Sequence, residues 1–466
     1  LIVTSKLGLK HLAAQIKSGD LSAYDHVIDT IDRIERHNPR LGAFTDYCFD
    51  RARHRAQEID TALAHGQDPG PLAGVTFAVK NLFDIEGFAT RAGSKINRNH
   101  APASRDAELI ARLERAGAIL VGALNMGEYA YDFTGENHHD GPSRNPHDLS
   151  RMTGGSSGGS GSAIAGGLVP LALGSDTNGS IRVPSALCGV FGLKPTYGRL
   201  PRTGTFPFCD SLDHVGALAR HVDDLILSFE VMQGFDRHDC SCVERPAIIA
   251  SDLDLIDPLR LRIGVLDGYF QQGGTAEAQA AVSSIAKALG CDQTATLESA
   301  ALGRAAAFLV TAAESGALHS GRLREQLDDF DPDTRDRFFA GALIPAQWVI
   351  KAQKVRRWHY ECAMKLFREF DILLAPATPC SAPLLGTKDL DLGDRIVPLR
   401  ANLGLYTQPI SCIGLPVVTV PLHQPGALPL GVQIIAAPWR EDQALAIAAH
   451  LEKLGIVQAP IANGFR

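Results

Sequence analysis

The chain has 466 residues, of which 45% are hydrophobic and 21% charged; this excludes a disordered or low-complexity protein and leaves apolar side chain enough for a large core. A formal charge of −7 excludes a basic surface spread over the molecule, so nucleic acid is not an expected partner. Nine cysteines, an odd number scattered along the chain, argue against a disulfide framework and for a reducing cytoplasm.

The opening "LIVTSKLGLKHLAAQ" lacks the basic start and long apolar stretch of a signal peptide, and with no initiator Met it reads as trimmed. Residues 1–65 read as helices. "DHVIDTIDRIERHN" and "RARHRAQEIDTALAHG" carry apolar residues at three- and four-residue spacing, the second stopping at Gly66. "PLAGVTFAVKNLFDI" reads as a short buried strand that turns at Lys80–Asn81, "DAELIARLERAGA" as an amphipathic helix closed by Gly117, and "AILVGALNM" as the next strand. This strand–helix–strand order predicts an α/β fold with parallel pairing. After a Gly/Ser-rich region, "LVPLALGS" is a predicted strand and "HVDDLILSFEVMQG" a helix. The longest apolar run, "AIAGGLVPLALG", is too short to cross a bilayer and contains Pro170, so no membrane is expected. "RHDCSCVERPAIIASD" reads as a surface connection, "RIGVLDG" as a strand, and residues 278–370 as a mostly helical section. "DILLAPAT", "LPVVTVPL" and "PLGVQIIAAP" supply three further apolar runs, followed by the helix "REDQALAIAAHLEKLG". With no repeat and no linker, residues 1–466 are expected to form one large α/β domain with helices covering a mixed central sheet.

The most informative stretch is "RMTGGSSGGSGSAIAGGLVPLALGSDTNGSIRVPSALCG", from Arg151 to Gly189. No lysine lies within it to complete a phosphate-binding loop, and Ile164 stands where a dinucleotide fingerprint needs its third glycine. Gly154 to Gly158 match G-x-S-x-G, but the preceding "GPSRNPHDLSRMT" reads as loop, without the strand that a nucleophile elbow needs. A flexible linker does not run straight into a buried apolar segment. Spacing alone leaves two readings open: a catalytic loop, or a tightly packed helix start without chemistry.

The strings "GGSSGGS" and "LGSDTNGSIRVPSALCGVFGLKPTYGR", with "PLAGVTFAVKNLFDI" upstream, closely resemble the amidase signature family of serine hydrolases. The resemblance runs from the N-terminal helices to "GLPVVTVPL" and "PLGVQII". It implies an acyl-enzyme mechanism with Lys80 as base, Ser156 as bridging serine and Ser180 as nucleophile. The two serines stand 24 residues apart (180 − 156), as the family's do. It further implies a cis bond between Gly155 and Ser156, backbone N–H groups of Thr177, Asn178, Gly179 and Ser180 as the oxyanion hole, and Asp176 and Arg182 bracing the loop. A lysine acts as base only when burial or nearby positive charge keeps it neutral, and "FAVKNLF" is apolar enough for burial. Neither a cofactor nor a metal is implied. His138, His139 and His147 lie in a proline-rich loop without helical ligand spacing, and His238, Cys240 and Cys242 lack a second cysteine pair. Lys194 in "GLKPT" reads as part of a structural turn.

"NMGEYAYDFTGENHHDGPSRNPHD" and "LGLYTQPISCIGLPVV" look like the carboxybiuret hydrolase branch of the family, which acts in cyanuric acid breakdown. The resemblance then implies a small anionic amide as substrate, ammonia as product, and a small helical partner protein. Arg91, Arg182, Arg199, Arg202, His138 and His139 are the candidate contacts for the anion. Three alternatives are weighed: the catalytic component of a glutamine-dependent tRNA amidotransferase, another small-amide amidase, and a non-catalytic binding relative. The amidotransferase components usually read Gly-Gly-Ser where this chain reads Asn178-Gly179-Ser180, and carry an acidic residue where it reads "LGLY".

Overall fold

The computed structural model describes residues 7–392 and 395–465. Eleven strands build one mixed sheet: β1 (Phe44–Tyr47), β2 (Thr76–Lys80), β3 (Ile119–Leu124), β4 (Leu171–Asp176), β5 (Phe191–Lys194), β6 (His214–Ala219), β7 (Ile263–Leu266), β8 (Thr294–Ala295), β9 (Ile372–Pro376), β10 (Val417–Leu422) and β11 (Leu430–Ala436). Their spatial order is β1-β3-β2-β4-β6-β5-β10-β11-β9-β7-β8. The predicted strand–helix–strand unit is present, with β2 and β3 parallel about helix Glu108–Arg115. β2 also pairs in parallel with β4, Val79 facing Leu173. The middle of the sheet, from β4 through β6, β5, β10 and β11 to β9, is antiparallel throughout.

Strands β2, β3 and β4 are buried along their whole length. Helices on both sheet faces explain why these segments read as continuous apolar runs rather than alternating ones. Burying Leu171 and Leu173 of β4 completely contributes roughly 1.5–3 kcal/mol each. The N-terminal helices Ala23–Leu41 and Phe49–Ala64 extend the predicted periodic segments by a turn or less. Ser22 Oγ caps the first by accepting from Asp25 N at 3.1 Å, and Gly42 closes it in the left-handed region. Between residues 276 and 369 lie helices Ala276–Ala288, Ala300–Leu318, Ser320–Glu325, Arg335–Ala342 and Ala346–Glu369. Among the described residues, no helix is long and apolar enough to cross a membrane.

Two local expectations need correction. Residues Asp148–Met152 form a strand, paired with Arg144–Asn145 in a small ribbon; its polar, half-exposed side chains hide it from an apolar-run criterion. A strand does precede Gly154–Gly158, then, although it lies outside the central sheet. Lys194 ends β5 instead of lying in a turn, fully buried, with its Nζ donating to Pro195 O at 3.0 Å.

Candidate active site

Parallel pairing puts the C-terminal ends of β2 and β4 side by side, and each ends in a polar residue. Lys80 closes β2 with none of its surface exposed. Its Nζ lies 2.6 Å from Ser156 Oγ and 2.8 Å from Ser175 Oγ of β4. Burial lowers the Lys80 pKa from its usual 10.5 to about 7, although Asp213, Asp176 and Asp132 oppose the shift. Near neutral pH the amine is therefore substantially uncharged, with a lone pair free to accept a hydroxyl proton.

Ser156 precedes helix Gly158–Ala165, and the Gly155–Ser156 peptide bond is cis. Hydrogen bonds strap this loop on both sides: Gly155 N donates to Phe133 O at 2.9 Å, and Gly127 N to Ser156 O at 3.2 Å. A Cβ on Gly159 would come within 2.5 Å of Ala43 O and Asn125 N, so glycine is what lets the helix press against β3's end. The tightly packed helix start is therefore present, directly after Ser156.

Ser180 occupies the turn between β4 and helix Arg182–Cys188. Here, rather than at Gly154–Gly158, a central-sheet strand passes through a sharp turn into a helix. Ser157 N donates to Ser180 O at 3.3 Å, tying the turn to the Ser156 loop. None of the N–H groups of Thr177, Asn178, Gly179 and Ser180 donates to a protein acceptor among the described residues, and Thr177, Asn178 and Ser180 line a narrow pocket. Gly179 has φ +142°, and a Cβ there would meet Thr407 Oγ1 at 2.2 Å.

Asp176 and Arg182 are both fully buried. Arg182 Nε donates to Asp176 Oδ2 and Nη2 to Oδ1, each at 2.9 Å, while Nη1 reaches Thr407 O at 3.1 Å and Gln433 Oε1 at 2.7 Å. Burial alone would raise the Asp176 pKa; the Arg182 charge and its hydrogen bonds outweigh that and hold it below the usual carboxylate range. The pair clamps both ends of the Ser180 turn and leaves the guanidinium no free edge for a ligand.

The other expected anion contacts lie away from the pocket. Arg91 is paired with Asp46 and Asp140, Arg199 lies over the Phe229 ring, and Arg202 faces Asp239. His138 is exposed, and His139 Nε2 sits 3.1 Å from the buried Glu128. His147 Nε2 faces Cys188 O at 3.0 Å. Cys240 is exposed and Cys242 buried. The cation that does line the pocket is Arg337, which the motifs could not reveal because it lies 157 residues beyond Ser180 (337 − 180). Its Nη1 donates to Tyr131 O at 3.0 Å and its guanidinium stacks 3.8 Å over the Tyr131 ring. Among the described residues no carboxylate makes a salt bridge with it, although Asp132 on the same pocket wall, itself paired with Arg400, acts on its charge.

A protein-family model described as Amidase matches residues 25–445. The chain belongs to the amidase family. As such it is a hydrolase acting on carbon–nitrogen bonds. The amidase is 49% identical over 449 residues to AtzE, named as one subunit of the 1-carboxybiuret hydrolase of Pseudomonas sp. (strain ADP), covering 95% of this chain and 97% of that protein. It is 35% identical over 492 residues to one subunit of the glutamyl-tRNA(Gln) amidotransferase of Anaeromyxobacter dehalogenans (strain 2CP-C), covering 98% of each. A solved structure described as a vestigial protein complex that reveals the evolutionary origins of an s-triazine catabolic enzyme superposes with a TM-score of 0.95, at 48% identity, over 97% of this chain and 100% of that one. A bacterial aryl acylamidase superposes with a TM-score of 0.86 at 26% identity, over 94% of each chain.

Proposed function

We propose that this amidase hydrolyses the terminal amide of a small anionic ureido compound, of which 1-carboxybiuret is the best candidate, through an acyl-enzyme on Ser180. The carrying observation is the buried Lys80 amine held 2.6 Å from Ser156 Oγ, beside a turn whose amides are unpaired. Neutral Lys80 takes the Ser156 proton while Ser156 takes that of Ser180, and Ser180 Oγ attacks the amide carbon. The N–H groups from Thr177 to Ser180 stabilise the oxyanion; removing one such donor typically costs about 3 kcal/mol of transition-state stabilisation. The proton returns through Ser156 to the leaving nitrogen as the C–N bond breaks and ammonia departs. Water then opens the ester by the reverse relay and restores the Ser180 hydroxyl. From carboxybiuret and one water the products are one ammonia and a dicarboxylated urea.

The anionic substrate is supported by Arg337, a guanidinium on the pocket wall that makes no salt bridge, while the Asp132 carboxylate of the same wall is engaged by Arg400. The ureido identity is supported by the likeness to AtzE. That relative is named as part of a larger enzyme, and we extend to this chain a small helical partner; exposed apolar side chains such as Leu255 and Leu259 suit such a contact. Ammonia release from carboxybiuret, biuret, glutamine, malonamate and aryl amides is the test. Carboxybiuret is expected to give the highest kcat/KM; a preference for glutamine stimulated by tRNA and ATP would move the assignment to the amidotransferase.

A further inference from the structure

The pocket beside Ser180 holds polar atoms that the hydrolytic steps leave unused. Asn178 is 7% exposed, and its Nδ2 donates to Thr311 Oγ1 at 2.8 Å. That bond holds the amide by its NH₂ end, with Thr311 Oγ1 as the acceptor. The carbonyl end is left over: Oδ1 is buried and has no hydrogen-bond partner.

Gln408, on the wall of the same pocket, is fixed the opposite way round. Its Oε1 accepts from Arg304 Nε at 2.7 Å, and Arg304 is itself held by Ala401 O at 2.8 Å and Asn402 Oδ1 at 2.9 Å. The Gln408 NH₂ therefore has no protein acceptor among the described residues. One pocket thus offers an unpaired acceptor and an unpaired donor, each on a side chain whose other end is anchored.

We infer that Asn178 Oδ1 accepts a hydrogen bond from the substrate N–H next to the scissile carbonyl, while Gln408 Nε2 donates to a neighbouring carbonyl, so that the pocket selects –NH–CO– over –CH₂–CO–. The inference rests on the proposed hydrolysis at Ser180 and names the feature that the site recognises. A carbon analogue fills the same space but leaves the buried Oδ1 without a donor, and a site built around such a bond rejects a ligand that lacks it.

Biuret and malonamide form the probe pair, since they differ only in NH or CH₂ between two carbonyls. Each is titrated as a competitor against whichever amide of the panel the enzyme hydrolyses fastest. The native enzyme is expected to bind biuret about 10- to 100-fold more tightly than malonamide, and Asn178→Ala to bring that ratio to within about threefold of unity. Thr311→Val, which frees the amide without removing it, is expected to lower the ratio too, and it keeps the test alive should Asn178→Ala fail to fold. A native ratio near one, or a ratio untouched in both folded variants, would overturn the inference and leave Ser180-dependent ammonia release standing. Absence of ammonia release from every amide would overturn the hydrolytic reading, and this inference with it.

Discussion

Lys80 carries the largest electrostatic conflict in the proposed mechanism. Its folded pKa of about 7 lies below the usual 10.5, so the unfolded chain binds more protons between those values and stability rises with pH across that window. Below about pH 7 the cost of burying the charge is fully present. Lys80→Met should therefore melt higher than the native protein at pH 6, by an amount worth several kcal/mol at about 1.4 per pKa unit, and the gap should close toward pH 10; equal melting points at pH 6 would contradict burial of a charge there. The same titration gates the base, so kcat/KM should climb with pH through an apparent pKa of about 7. Ser180→Ala should lower kcat/KM by about 10⁴-fold or more with an unchanged melting curve; substantial residual turnover would move the nucleophile elsewhere.

The turn from β4 to helix Arg182–Cys188 works as one element. Asp176 and Arg182 are solvent-free partners, and removing one leaves the other buried and unpaired. Arg182→Met should cost about 3–5 kcal/mol, measured by chemical denaturation. Because the Asp176 pKa is held down in the fold, the clamp's contribution is present above the ordinary carboxylate pKa and is lost as pH falls through the lowered one. Gly179→Ala should abolish activity with a smaller loss of stability, since its Cβ would strike buried Thr407 behind the turn; near-native kinetics would show that the turn is free to shift. This element was also the most legible part of the sequence through its likeness to the family, since spacing alone left two readings open: Asp176, Ser180 and Arg182 lie within seven positions, so one short string carries the resemblance. Strands β5 and β6 were not legible, since "FGLK" and "HVGALA" are short, and β5 is held by pairing with β6 and with distant β10. Helix Gly158–Ala165 was only one of two readings of its stretch, because its glycines serve close packing but are disfavoured by helix propensity.

Across the whole molecule, two distant stretches meet at the pocket. Glu128, with no surface exposed, accepts from Ser94 Oγ at 2.9 Å and from Asp331 N at 2.7 Å, and also faces His139 Nε2. It thereby pins the segment that leads into helix Arg335–Ala342 and carries Arg337. Glu128→Ala should raise KM about tenfold with a smaller change in kcat, and should speed amide hydrogen exchange over residues 327–342; unaltered exchange there would refute the pinning. Arg337 escaped prediction for a related reason, since no local pattern connects it to Ser180 and only the folded sheet brings them together. Phe308, Thr311 and Arg337 all come from the helical stretch after β8, whereas Lys80 and Ser175 lie on neighbouring strands β2 and β4, Ser180 in the turn after β4, and Ser156 in the loop before helix Gly158–Ala165. The proposed relay and much of the wall that would address a substrate thus come from separate stretches of the chain, joined at Asn178. Substitutions in the later stretch are expected to change which amide is hydrolysed while leaving the proposed relay in place.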